Sequence, residues 1–176
     1  RAEARRVARG LVAAGVEPDE PVAIIMADRP EAVAALFGVA LAGGIAALIP
    51  TFAKGSELAG LLDRSGARIV LTQSHLGRRD LAAEVAHARP GTTVAAVGDG
   101  SWDDLLDAAD AATTAGPALR PATDPDATAL VIFTSGTTSE PKGVVHGHRS
   151  PCHQARVQAD LFARHPRTRM FSALPL

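Results

Sequence analysis

Ala129-Leu130-Val131-Ile132-Phe133 runs straight into Thr134-Ser135-Gly136-Thr137-Thr138-Ser139-Glu140-Pro141-Lys142-Gly143. The first five residues are uniformly apolar, the pattern of a buried strand. The second stretch clusters hydroxyl side chains around a glycine and closes on a proline, a lysine and a further glycine. Such a loop leaves the carboxyl end of its strand, where open α/β sheets bind their ligands. Glycine lets backbone amides approach an anion closely, hydroxyls add donors, and a lysine ammonium supplies counter-charge. Those are the requirements of a polyphosphate site. A solvated surface loop draws on the same residue types, so composition alone leaves both readings open.

The spacing excludes one familiar phosphate loop. A Walker A element needs G-x-x-x-x-G-K-[ST]. Here Pro141 precedes Lys142, Gly143 follows it, and the upstream glycine is Gly136. The GTPase and simple ATPase readings lose their main support. Of 18 Lys and Arg residues only Lys54 and Lys142 are lysines, so the loop keeps a residue the chain otherwise avoids. A compact point charge fits among crowded phosphate oxygens better than a planar guanidinium fork.

Outward from this stretch, strands and helices alternate. A helix through Val7, Leu11 and Val12 ends at Gly15, and the strand Val22 to Met26 comes next. A helix from about Pro30 to Ala42 stops at Gly43-Gly44, and Ile45 to Ile49 is a strand closed by Pro50. Asp28 and Glu31 have capping-box spacing. Ser56 is placed to cap a helix whose Leu58, Leu61 and Leu62 share one face, with Gly66 ending it. Arg68 to Thr72 reads as a strand, about His75 to Ala88 as a helix, and Val94 to Val97 as a strand. Ser101 with Asp104 opens a short helix carrying Leu105 and Leu106. Residues 111–127, rich in Ala, Thr and Pro, read as a surface connection. Beyond the loop come Val144-Val145, a helix from about Ser150 to Ala163 and a strand near Met170. The alternation predicts an α/β domain, a mostly parallel sheet flanked by helices.

A chain of 176 residues that is 47% hydrophobic can build one domain's core. A net charge of −1 provides no basic field to recruit nucleic acid or an anionic membrane. Cys152 is the only cysteine, which fits a reducing compartment. The opening Arg1-Ala2-Glu3-Ala4-Arg5-Arg6 does not resemble a signal peptide, so a cytoplasmic location is expected. Ala32 to Ala53 carries no charge and has the length of a membrane span, but Gly43-Gly44 breaks it. It reads as a buried helix and strand, with no membrane span.

With this order in view, the chain resembles the adenylate-forming superfamily of acyl-CoA synthetases, peptide-synthetase adenylation domains and firefly-type luciferases. Leu11-Val12-Ala13-Ala14-Gly15-Val16 through Pro21-Val22-Ala23-Ile24 is similar to the family's opening helix and strand. Gly38-Val39-Ala40-Leu41-Ala42-Gly43-Gly44 and Pro50 resemble its second core motif, and Glu57-Leu58 with Ser65-Gly66-Ala67-Arg68 the next segment. Thr134 to Gly143, then Val144-Val145-His146-Gly147-His148-Arg149, is similar to the phosphate loop and the helix start behind it. Ser172-Ala173-Leu174-Pro175-Leu176 resembles the approach to a further motif. Most relatives have glycine where this chain has Ser139, which strains the loop if that position needs a positive φ.

The resemblance implies that residues 1–176 are the first part of the large N-terminal domain of such an enzyme. The later nucleotide-binding motifs and the C-terminal domain are then absent from this stretch. It implies joining of a small-molecule carboxylic acid to the α-phosphate of ATP, then transfer of the acyl group to coenzyme A. Thr134, Ser135, Gly136, Thr137, Thr138 and Ser139 would bind the phosphates, and Lys142 would act catalytically by neutralising departing pyrophosphate. Gly143 would turn the chain back into the sheet. Mg²⁺ takes few protein ligands, and a loop hydroxyl suits it.

Other readings stay open. Ile45 to Thr51 lacks the Pro-x-Asp-Pro ending associated with amino-acid-activating domains, which favours an acyl-CoA synthetase. An amino-acid or carrier-protein-directed adenylation domain, or a non-catalytic truncated remnant, remains an alternative. His146, His148 and His153 beside Cys152 invite a zinc reading, but no C-x-x-C pair accompanies them. Arg156, Arg164, Arg167 and Arg169 read as a solvated basic face, and Trp102 as a core residue.

Overall fold

The protein, described here from a computed structural model, is defined over residues 1–112, 119, 121–134 and 142–162. The chain opens with helix α1 (Ala2–Ala13) and strand β1 (Pro21–Ile25). Helix α2 (Pro30–Ala42), strand β2 (Ile45–Leu48) and helix α3 (Gly55–Ser65) come after them. Next are β3 (Ile69–Gln73), the short β4 (His75–Leu76) and β5 (Arg79–Asp80), α4 (Leu81–Ala88) and β6 (Thr93–Val97). The last elements are α5 (Ser101–Ala112), β7 (Thr128–Thr134), β8 (Lys142–Gly147) and α6 (Arg149–Phe162).

Six strands form one sheet in the order β6-β3-β1-β2-β7-β8. The pairs β1–β2, β1–β3, β2–β7 and β3–β6 are parallel, and β7–β8 is antiparallel. The mostly parallel α/β sheet expected from the alternation is therefore present. Strands β1 and β2 are apolar on both faces because both faces are covered there. In β1, Val22 and Ile24 pack into one core with Val7, Leu11, Val39 and Trp102. Ala23 and Ile25 point the other way, into a second core with Leu58, Leu61, Leu62, Leu81 and Val85. Helices α1, α2 and α5 supply the first layer, and α3 and α4 the second.

The first layer is tightly packed. Gly10 of α1 lies against α5 so closely that a Cβ there would sit 2.3 Å from the Leu105 carbonyl oxygen. Trp102, 3% exposed, fills the same layer, as its sequence context predicts.

Three local expectations give way. Helix α3 starts at Gly55 with Lys54 as its N-cap and no side-chain cap, so Ser56 lies inside the first turn. At α2 the N-cap is Arg29, again without a side-chain cap. Glu31 takes the Arg29 guanidinium at 2.9 Å instead of completing a capping box. The helix expected from His75 is first a two-stranded ribbon, in which Gly77 at φ 62° permits the tight reversal. Asp80 then caps α4, accepting from the Ala83 amide at 3.0 Å, and the helix occupies only Leu81–Ala88. Ser101 opens α5, as expected. It is the helix's first residue, and its Oγ accepts from the Ala96 amide at 2.8 Å.

Helix α5 extends through Ala112, into the stretch expected to be a connection. Residues 121–126 of that stretch are exposed and form neither helix nor strand. No helix among the described residues is long and apolar enough to cross a membrane. Residues 32–53 form the helix and strand expected from the Gly43-Gly44 break, but α2 buries only one face and leaves Val33 and Phe37 exposed.

Candidate functional site

Because β1, β2, β3, β6 and β7 run parallel, their carboxyl ends share one edge of the sheet. Strand β7 ends there at Thr134. Strand β8 returns antiparallel, in the register Phe133↔Gly143 and Thr134↔Lys142. The reversal is what brings Lys142 back to the edge that Thr134 has just reached. Of the candidate site residues, the structure brings together Thr134, Lys142 and Gly143. Ser135, Gly136, Thr137, Thr138 and Ser139 lie outside the described residues, as do Met170 and Ser172 to Leu176.

Gly143 lies on the strand that returns into the sheet. It sits within β8 without a positive φ, and a Cβ there would meet Val131 Cγ1 at 2.9 Å and the Phe133 ring at 3.4 Å. Phe133 is 6% exposed and belongs to the second core. The missing side chain lets β8 lie flush against the strand that carries the core.

The hairpin is fastened at its other end too. Arg149 donates to both oxygens of Asp126, Nε to Oδ1 at 2.8 Å and Nη2 to Oδ2 at 2.9 Å. The Arg149 and His148 amides donate to the carbonyls of Pro125 at 2.8 Å and Ala127 at 3.1 Å. The Arg149 hydrogen bond, with its positive charge, holds the Asp126 carboxyl below its usual range. His146, His148, Cys152 and His153 cluster at this end. Among the described residues no group of three or more His, Cys, Asp or Glu side chains could hold a metal ion.

Two further groups shape the edge, and sequence reasoning missed both. Gln73, 6% exposed at the end of β3, accepts from the Ala27 amide at 2.9 Å and donates to the His75 carbonyl at 2.7 Å. It fills the gap between the exits of β1 and β3. Arg79 and Glu84 tie α4 to the connection after β2. Glu84 is held below the ordinary glutamate range chiefly by the hydrogen bond from Arg79. Desolvation opposes that shift, and the charges of Arg79 and Lys54 assist it. In a chain that uses arginine almost everywhere, nothing in the sequence marks Arg79 out.

An open α/β sheet whose β7 runs into a hydroxyl- and glycine-rich sequence, with Lys142 on the returning strand, fits the adenylate-forming class. The chain belongs to the AMP-binding enzyme family, whose model matches residues 1–176. It is 38% identical over 169 residues to the phosphinothricin tripeptide synthetase of Streptomyces viridochromogenes, matching 95% of this chain and 14% of that protein. It is 30% identical over 173 residues to a long-chain-fatty-acid–CoA ligase of Mycobacterium tuberculosis, matching 98% of this chain and 33% of that protein. The o-succinylbenzoate CoA synthetase of Bacillus subtilis, solved with an acyl-adenylate intermediate, superposes with a TM-score of 0.72 at 27% identity. That match covers 99% of this chain and 42% of the solved one. The chain thus spans well under half the length of these relatives, and it covers the N-terminal part of the solved adenylate-forming enzymes.

Proposed function

We propose that the protein activates a carboxylic acid with ATP as an acyl-adenylate and then passes the acyl group to coenzyme A. The observation that carries this reading is the β7–β8 register, which sets Thr134 opposite Lys142 at the sheet edge where the hydroxyl-rich stretch begins and ends. A carboxylate is a weak nucleophile, so catalysis depends on in-line positioning and on stabilising charge at the phosphates. Thr134, Ser135, Gly136, Thr137, Thr138 and Ser139 bind the phosphates through amides and hydroxyls. Lys142 neutralises the pyrophosphate that departs. Gly143 seats the returning strand. Mg²⁺ would supply further positive charge to the phosphates, and a loop hydroxyl would be one of its few protein ligands. A cytoplasmic location belongs to the same reading.

A second acceptor has its own support. The 38% identity to a peptide synthetase favours amino-acid activation and transfer to a carrier-bound thiol. Carboxylate-dependent ATP–pyrophosphate exchange on the full-length protein, across short, long, aromatic and amino acids, tests the common step. Exchange with one acid class supports adenylation, and no exchange with any acid refutes it. Adding coenzyme A or a phosphopantetheinyl carrier protein then separates the two acceptors by which one becomes acylated.

A further inference from the structure

Arg79 lies outside the hydroxyl-rich loop, yet every nitrogen of its guanidinium is committed. Nε donates to Glu84 Oε1 at 3.0 Å and Oε2 at 3.2 Å, and Nη2 donates to the Ala53 carbonyl at 3.0 Å and to Glu84 Oε2. Nη1 donates to the Thr51 carbonyl. The Arg79 side chain is 17% exposed. An ordinary surface ion pair holds long side chains loosely and contributes little. This one is a fork spread over a carboxylate and two backbone carbonyls, a geometry that an ammonium cannot reproduce.

The carbonyls it grips belong to the connection from β2 to α3. That connection leaves the sheet beside β7, because β2 and β7 pair through Leu48 and Ile132. Ala53 is buried in the same core as Ile49 and Phe133. Phe133 immediately precedes Thr134 and faces Gly143 across the hairpin. The guanidinium thus grips a connection whose Ala53 shares a core with the residue just before the loop.

We propose that Arg79, oriented by Glu84, is a positioning residue for nucleotide binding. It clamps the Thr51–Ala53 connection against the Phe133 core and so sets where Thr134 and Lys142 stand. The proposal rests on the phosphate-binding reading of that loop.

The test compares wild type, Arg79→Lys, Glu84→Gln and Lys142→Ala in the full-length protein. Mg-ATP binding is measured by titration calorimetry well below the unfolding midpoint, and the carboxylate KM by exchange. Arg79→Lys is expected to weaken Mg-ATP binding about fivefold to tenfold, the scale of coupling carried through packed contacts. The carboxylate KM stays unchanged. Glu84→Gln, which keeps the side chain's shape and is the safer variant for folding, shifts binding in the same direction by less. Wild-type affinity in both clamp variants, with Lys142→Ala impaired, overturns the positioning role and leaves the loop reading standing. A lower unfolding midpoint without a change in Mg-ATP affinity also overturns it, as that marks a purely structural clamp. Unchanged ATP–pyrophosphate exchange in Lys142→Ala, or no Mg-ATP binding by wild type, overturns the loop reading and the proposal with it.

Discussion

Gly10→Ala and Gly60→Ala make the same change in two helices, and the structure gives them opposite signs. In a helix interior, alanine is favoured over glycine by about 1 kcal/mol through backbone entropy alone. At Gly60 in α3 an added Cβ meets nothing within 4 Å, so Gly60→Ala is expected to stabilise by about 0.5–1 kcal/mol. At Gly10 the new carbon lands 2.3 Å from the Leu105 carbonyl oxygen and 2.9 Å from Leu105 Cγ. Carbon contacts relax near about 3.5 Å, so α1 and α5 must separate by about 1 Å. Overpacking of this kind costs about 1–3 kcal/mol, and here the wall is backbone, which cannot rotate aside. After the propensity gain, Gly10→Ala is expected to destabilise by about 0–2 kcal/mol. Guanidinium titration followed by circular dichroism gives the sign for each variant. Hydrogen exchange should place the Gly10→Ala loss in α1 and α5. If Gly10→Ala raises the unfolding midpoint, the close approach of these helices is wrong.

Lys142→Ala should slow ATP–pyrophosphate exchange about a hundredfold, the usual loss when one charge-stabilising donor is removed. The unfolding midpoint should hardly move, because Lys142 is exposed; unchanged exchange would sink the assigned role. Gly143→Ala should impair exchange by pushing β8 off Val131, and Val131→Ala in the same chain should restore part of it. If the second substitution gives no recovery, the steric account of Gly143 fails. The folded-state pKa of Glu84 is depressed, so its stabilisation is complete above the unfolded value, about 4.3, and is lost as pH falls through the lower folded value. Acid titration of the unfolding midpoint should therefore be shallower in Glu84→Gln than in wild type over that window, and superimposable curves would contradict it. Leu62→Ala, at a fully buried site in the second core, should cost about 2–5 kcal/mol in denaturant titration.

The long elements were readable in the sequence because their signals are local. Pro30 opens α2 and Gly43 closes it. The runs Val22-Ala23-Ile24-Ile25 and Ile69-Val70-Leu71 are apolar at every position because both faces of the sheet are covered. The misses are tertiary. His75 to Asp80 forms a small ribbon because Gly77 can reverse the chain and Ser74 accepts the Leu81 amide at 2.8 Å, and neither fact shows in helical periodicity. Ser56 looks like a cap by residue type, but the helix begins one residue earlier. At the candidate site, composition pointed to the loop and its lysine. It could not reveal that β8 runs antiparallel, or that Gly143 makes room for Val131 and Phe133. Arg79 was invisible for a plainer reason: its partners Thr51 and Ala53 are backbone carbonyls, whose availability no side-chain pattern records.

The order in which this sheet can assemble is set by its strand order. Strand β7 pairs with β2, but the chain makes α3, β3, β4, β5, α4, β6 and α5 between them. A ribosome would deliver β6, β3, β1 and β2 with their covering helices while β7 was still unmade. The open edge of β2 must then wait for a partner from far along the chain, and such long-range closure is intrinsically slow. Until it closes, β2 offers unpaired backbone groups to any stray strand. Among these six strands, the pair that gathers Thr134 and Lys142 thus comes into being last, after the strands and helices that build most of both cores.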